Sequence, residues 1–172
     1  MKQTPSQTIG PYFAYSLTPE QYFYDFKSMV SYAEMNPAKT KDGFFITGKV
    51  YDGNGQTIPD AMVEIWKNDT EFFGRYGTGT DSENRFVFFT TKPKVENNKA
   101  PFISLFLFMR GQLIHSYTRI YFDDEAELNN QDADFLSIPS ERRGTLLAKK
   151  TANGYEFDIY MQGENETVFF EV

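Results

Sequence analysis

Cysteine is absent and histidine occurs once, as His115, in a chain of 172 residues. Without a thiol, disulfide frameworks, thiolate metal sites, iron–sulfur clusters and cysteine nucleophiles are excluded. A single imidazole cannot build a His-rich metal centre, and it reads first as a structural histidine. Any serine nucleophile would have to borrow His115 as its base, and the sequence has no Gly-x-Ser-x-Gly segment. Excess basic charge is missing too: 17 Lys and Arg against 24 Asp and Glu give a formal net charge of −7. That is the wrong sign for tracking a phosphate backbone, so no nucleic-acid partner is expected. No apolar run approaches the roughly 20 residues a spanning helix needs; the longest, Phe102 to Met109, is interrupted by Ser104 and closed by Arg110. Met1 to Gln7 has no apolar stretch after Lys2, hence no signal-peptide pattern. The expectation is a soluble cytoplasmic protein without a membrane partner, in which the Asn-x-Thr sequences at Asn68 and Asn165 are incidental.

Aromatic residues are what the chain has in plenty: 18 Phe, 11 Tyr and 1 Trp, 17% of the whole. Aromatic side chains suit a pleated, half-buried surface, and they also line interfaces and pockets for flat ligands. The hydrophobic period decides for strands. Ile46, Gly48 and Val50 alternate with Thr47 and Lys49, ahead of the tight-turn sequence Asp52-Gly53-Asn54-Gly55. Ala61, Val63 and Ile65 alternate with Met62, Glu64 and Trp66, and Tyr155, Phe157, Ile159 and Met161 with Glu156, Asp158, Tyr160 and Gln162. Further strands are expected at Phe86–Phe89, Ile103–Phe108, Leu113–Phe122 (which would include His115) and Thr167–Phe170. No long segment has a 3.6-residue period, so the fold expected is all-β, a β-sandwich or barrel. Thr4 to Tyr12, with two prolines and a glycine, reads as an extended arm. Thr18-Pro19-Glu20-Gln21 suits one helical turn. The division expected is an N-terminal arm over residues 1–43 and a β-sandwich domain over 44–172.

Charged and glycine-rich motifs add little chemistry. Asp123-Asp124-Glu125 lacks the ligand spacing and turn glycine of a calcium loop and reads as a solvated turn. Gly74-Arg75-Tyr76-Gly77-Thr78-Gly79 lacks the Lys-Ser/Thr of a phosphate cradle and reads as a turn before a strand. Arg110 ends an apolar run and would be costly to bury unpaired, which makes it a candidate anion-binding residue or a solvated strand end. Arg119, Arg142 and Arg143 read as structural or interface ion-pair partners. From the residues alone, a metal-free binding module for a small aromatic or a sugar remains open. So does a self-sufficient oxygenase with an unusual ligand set drawn from Tyr, Asp, Glu and His115.

Several stretches, in order along nearly the whole chain, resemble the intradiol ring-cleavage dioxygenases. They are Thr4 to Tyr12, Gly48 to Gly55, Pro59-Asp60-Ala61 with Glu64-Ile65-Trp66, Gly74-Arg75, Thr80-Asp81, and Thr90 to Pro93. Arg110-Gly111, Thr118 to Ala126, and Phe157 to Phe170 resemble one branch closely, the alpha subunits of the members that open protocatechuate. The resemblance implies a β-sandwich and a subunit of an O2-dependent enzyme that converts protocatechuate to 3-carboxy-cis,cis-muconate. It also implies an iron-bearing beta subunit of similar fold as the partner in a hetero-oligomer. In that beta subunit two Tyr and two His hold a non-haem ferric ion, the imidazoles forming a His-x-His pair after a proline. Here the same places hold Phe102 and Ser104. The loop after Trp66 is too short to match the first tyrosine, and Lys92 to Val95 carries none. The resemblance therefore implies no metal and no catalytic residue in this chain. It further implies a substrate cavity lined in part by Thr8, Gly10, Pro11 and Tyr12 of the arm, with Arg110 as a second contribution.

Overall fold

The computed structural model describes residues 12–30, 40–67, 72–95 and 99–171. It opens with a helix, α1 (Tyr12–Leu17), and a 3-10 turn over Pro19–Tyr22. The turn is the one expected after Thr18, with proline at a helix start, where its missing N–H costs nothing. The helix is a departure, because the sequence pattern makes Tyr12 the end of an extended arm. A proline disrupts a helix from within and suits the residues just ahead of its first turn, so Pro11 does not bar a helix from Tyr12 onward. Residues 1–11, which carry the remainder of the expected arm, lie outside the described residues.

Among the described residues nine strands follow: β1 (Phe44–Tyr51), β2 (Met62–Lys67), β3 (Phe72–Gly77), β4 (Arg85–Thr90), β5 (Phe102–Phe108), β6 (Ser116–Phe122), β7 (Leu147–Thr151), β8 (Gly154–Glu156) and β9 (Ile159–Tyr160). One layer is the antiparallel order β3-β2-β5-β6. The other is β7-β8-β1-β4, with β9 continuing along β1 where β8 stops. A short parallel pairing of β6 with β7 joins the layers. Period-two alternation sends Ile46 and Val50, Val63 and Ile65, Phe86 and Phe88, and Ile103, Leu105 and Leu107 into one core between them. The expected β-sandwich is present.

Three local expectations change. Gly74 to Gly77 belongs to β3 rather than to a turn; the bend comes at Thr78–Thr80, where the Thr78 hydroxyl donates to the Ile58 carbonyl at 2.8 Å. His115 precedes β6 instead of lying in it. Thr167–Phe170 forms no strand, only a single bridge from Phe170 to Tyr117, because the Thr167 hydroxyl and the Val168 carbonyl bond to Tyr160 and Thr118 rather than to a neighbouring strand in register.

Two further helices, α2 (Ala126–Asn129) and α3 (Ala133–Leu136), cover one end of the outer face of the β6 layer. They enclose a second, smaller core of Ala100, Tyr121, Phe135, Ile138 and Leu146. The N-terminal turn is docked at the β3 edge of the same layer. Gln21 is buried; its amide nitrogen donates to the Thr18 hydroxyl at 2.6 Å, and its carbonyl accepts from the Gly79 amide at 3.1 Å. A Cβ at position 77 would come within 2.5 Å of that side chain, so Gly77 makes the room Gln21 fills. Among the described residues no helix is long and apolar enough to cross a membrane.

The Asp123–Glu125 run, expected to be a solvated turn, is a junction. Asp124 accepts from Lys92 at 2.9 Å, from Lys150 at 2.8 Å and from the Tyr155 hydroxyl at 2.9 Å, tying the end of β4 to β7 and β8. Partial burial works against the charged carboxylate, but hydrogen bonds from Lys150, Lys92 and Tyr155 prevail and hold its pKa down at about 2. A carboxylate reads about 3.9 in an unfolded chain, so the stabilisation is complete above about pH 4 and lost as pH falls toward 2. Asp124→Asn is expected to lower the melting temperature at pH 7 and to flatten its fall between pH 4 and 2. Parallel acid limbs for the variant and the wild-type protein would refute this assignment.

Candidate functional site

The outward face of the β3-β2-β5-β6 layer is laid out in rows by the strand register. Trp66 lies opposite both Phe73 and Ser104, and Ser104 lies opposite Arg119. In the next row Glu64 lies opposite Arg75 and Phe106, and Phe106 lies opposite Tyr117. Phe102 faces Tyr121. At one end of this face the Arg119 guanidinium is clamped. It donates to Asp134 at 2.8 Å and to the hydroxyls of Tyr117 and Tyr121 at 3.3 Å each. It also lies 4.6 Å from the centre of the Phe102 ring and 4.9 Å from that of Phe170, a cation between two aromatic faces. Burial opposes its charge, yet the hydrogen bonds to Asp134, Tyr121 and Tyr117 outweigh burial and raise its pKa. Burial also pushes the Tyr121 phenol up to about 12, against the downward pull of Arg119. The Tyr117 hydroxyl is shared, lying 3.2 Å from the Ser104 hydroxyl.

Toward the His115 end the face opens into a hollow of about 620 Å³ lined by Glu64, Trp66, Ser104, Phe106, Phe108, His115 and Tyr117. His115 lies 5.4 Å from the Phe106 ring and 5.7 Å from that of Phe108. Trp66 packs on Phe73 at 4.4 Å. Glu64 is held at 2.7 Å by Arg75, which neutralises the one carboxylate among the described residues lining the hollow. Such a surface can stack a flat ring or bury an apolar partner side chain.

Arg110 stands elsewhere. Its Nε donates to Asp60 at 2.7 Å and a second nitrogen pairs with the same oxygen, while the side chain remains two-thirds exposed. Its charge therefore has a partner already, although its outer surface stays accessible. Of the arm residues expected at a substrate cavity, Tyr12 begins α1, whereas Thr8, Gly10 and Pro11 lie outside the described residues. Arg119 is an ion-pair partner, as expected. Arg142 and Arg143 bond instead to carbonyls: Arg142 to Glu166 at 2.5 Å, Arg143 to Leu136 at 2.7 Å and to Ile138 at 2.8 Å. The last carbonyls of a helix lack partners within it, and Arg143 supplies donors at the end of α3.

The residues at 102 and 104 do not fit a ferric ion. A phenyl ring offers no lone pair, the Ser104 hydroxyl bonds to Tyr117, and a guanidinium lies against both positions. The position of Arg119 beside 102 and 104, and the hollow, escaped sequence reading because β5 is apolar on both faces. A continuous apolar run hides its period of two, and only the outward Ser104 breaks it.

No family model matches the chain. A curated relative, the protocatechuate 3,4-dioxygenase alpha chain of Burkholderia cepacia, is 43% identical over 194 residues spanning 100% of this chain and 98% of its own. This chain belongs to the protocatechuate 3,4-dioxygenase alpha-chain family. The alpha chain of Pseudomonas putida is 36% identical and covers 99% of this chain and 97% of its own. The relation extends to the other subunit type: the Burkholderia cepacia beta chain is 26% identical over 157 residues, covering 71% of this chain and 65% of its own. Among solved structures, an intradiol ring-cleavage dioxygenase from Tetranychus urticae superposes with a TM-score of 0.60 at 14% identity, covering 80% of this chain and 89% of its own. A dioxygenase domain from Streptomyces sp. SirexAA-E gives 0.58 at 17% identity, covering 97% of this chain and 100% of its own. At those identities the likeness speaks for the fold. The β-sandwich of this chain is thus the fold that those dioxygenases share.

Proposed function

We propose that this chain is the alpha subunit of a cytoplasmic hetero-oligomeric protocatechuate 3,4-dioxygenase, paired with an iron-bearing beta subunit of similar fold. The observation that carries the reading is the 43% identity to an alpha chain over the full length of this one. The beta-chain relation supports a partner built on the same sandwich. The metal, when bound in the partner, supplies the activation of the catechol toward O2. The product is 3-carboxy-cis,cis-muconate. This chain contributes shape, exclusion of water and charge at the shared cavity. In this reading Thr8, Gly10, Pro11 and Tyr12 form part of the cavity wall: a Gly-Pro pair allows close backbone approach to a flat ring while limiting the arm's freedom. The exposed guanidinium of Arg110 draws or holds the substrate carboxylate, with Asp60 fixing its orientation.

The chain is to be produced with and without the beta-type protein of the same host, and each preparation measured for iron and for O2 uptake with protocatechuate. Iron and turnover in the co-purified pair, and neither in this chain alone, are expected. Turnover by the isolated chain, or failure of the two to associate, would overturn the reading. In the active pair, Arg110→Ala is expected to raise KM for protocatechuate roughly tenfold, the value of about one charge-assisted contact, with a smaller effect on kcat. An unchanged KM removes Arg110 from the cavity.

A further inference from the structure

Side chains at 102, 104, 117 and 121 share one face of the paired strands β5 and β6, and Arg119 stands among them. Position 104 is its direct cross-strand partner, and the ring at 102 lies 4.6 Å from its guanidinium. The two phenols at 117 and 121 meet its nitrogens at 3.3 Å each. Imidazoles placed at 102 and 104, as the resemblance has them in the beta subunit, would share that face with the two phenols of β6, giving two nitrogen and two phenolic oxygen donors around that point, although the family's own tyrosine ligands come from other segments. The point is filled. A permanent cation sits there with its own counter-charge, Asp134 at 2.8 Å, and with aromatic rings on two sides.

We propose that Arg119 occupies the place of the metal in this chain, so that the guanidinium, and not only the missing imidazoles, closes the site to iron. The disagreement between this donor set and a ferric ion is then more than a loss of ligands. An organic cation stands in the ion's place and ties β5, β6, α3 and Phe170 together. A guanidinium cannot give up its proton in a protein, so it repels a metal ion at every working pH and cannot turn into a ligand. Reverting 102 and 104 alone therefore leaves the charge barrier intact.

The proposal rests on the family's placement of its imidazoles, but its test is separate from the assembly and its activity. Wild-type chain, Phe102→His/Ser104→His, and the same pair combined with Arg119→Ala are each loaded with ferric iron in the form that purifies, alone or with the partner, and desalted. Bound metal is then counted by elemental analysis, and the visible band of a phenolate–iron contact is recorded. The double variant is expected to hold no more iron than wild type. The triple variant is expected to hold about one additional ion per chain with a new visible band. If removing Arg119 unfolds the chain, Arg119→Met in the same background keeps an unbranched filler between the two rings without the charge. Equal uptake by double and triple variants overturns the barrier, and no added uptake by the neutral variants overturns the convergence of the four positions. Every readout is a difference from wild type, so inactivity of the wild-type pair would count against the proposed function and leave this comparison intact.

Discussion

Gly48→Ala is expected to lower the melting temperature of the chain sharply. β1 carries Gly48 between Ile46 and Val50, on the face that points into the core. There the strand is crowded from two directions. β8 and β9 pair with β1 on either side of a break at Phe157-Asp158, where the Phe157 amide donates to the Thr47 carbonyl at 2.8 Å and Asp158 accepts from the Lys49 amide at 2.9 Å. Those bonds draw the Phe157 carbonyl under residue 48. A Cβ built there would lie 1.8 Å from that oxygen and 2.6 Å from the ring of Phe86. The oxygen belongs to backbone fixed by two bonds and cannot step aside as a side-chain tip does. Overpacking of a rigid core costs 1–3 kcal/mol and more where backbone must move, so a loss of about 3 kcal/mol or more is expected. For a chain of this length that is roughly 10 °C in melting temperature. Gly55→Ala is the control, because its positive φ of 75° carries a strain cost while nothing lies within 4 Å of the added methyl. Equal melting of the two variants would show that β1 can shift away from Phe157 and that the crossing is not tight.

The sandwich was legible because alternation survives wherever one strand face meets solvent: Ile46/Val50 against Thr47/Lys49, Val63/Ile65 against Glu64/Trp66. The pairing of strands was not. The Asp52–Gly55 turn does form, with Gly55 donating to the Asp52 carbonyl at 3.0 Å, yet it does not join β1 to β2 as a hairpin. β1 pairs with β4, β8 and β9, all supplied by distant sequence. Turn chemistry is local, whereas partner choice depends on burial across the whole domain. The same limit hid Asp124, whose three partners come from residues 92, 150 and 155, so that a short acidic run looked like a solvated turn. Of the candidate site, the identities at 102 and 104 could be read as non-ligands, but nothing in the string placed Arg119 beside them. Fifteen positions separate 104 from 119 along the chain, and only the antiparallel register sets them side by side.

Asp132→Ala is expected to be the most damaging change on the opposite side of the β6 layer. This carboxylate is fully buried and accepts three backbone N–H bonds: from Ala100 at 2.9 Å, and from Asp134 and Phe135 at 2.9 and 3.1 Å as the N-cap of α3. One side chain thus closes the helix start and ties it to the residues entering β5. Alanine would leave those donors facing apolar surroundings in the small core around Tyr121, Phe135 and Leu146. With a cap worth about 1–2 kcal/mol and an unsatisfied buried donor about 1–3, a loss of roughly 2–5 kcal/mol follows. Asparagine keeps an oxygen for the cap but turns its amide toward the Ala100 N–H, donor against donor, so Asp132→Asn should recover only part of the loss. The damage should also reach the Arg119 clamp. α3 carries Asp134, and a frayed first turn releases the guanidinium's counter-charge while Lys99, bonded to the same carboxylate at 2.9 Å, loses its partner too. Melting of the alanine variant within about 2 °C of wild type, on a scale of 2–4 °C per kcal/mol, would mean that water or a shifted α3 satisfies the three donors. In that case Asp132 would not be what couples the helix to the sheet.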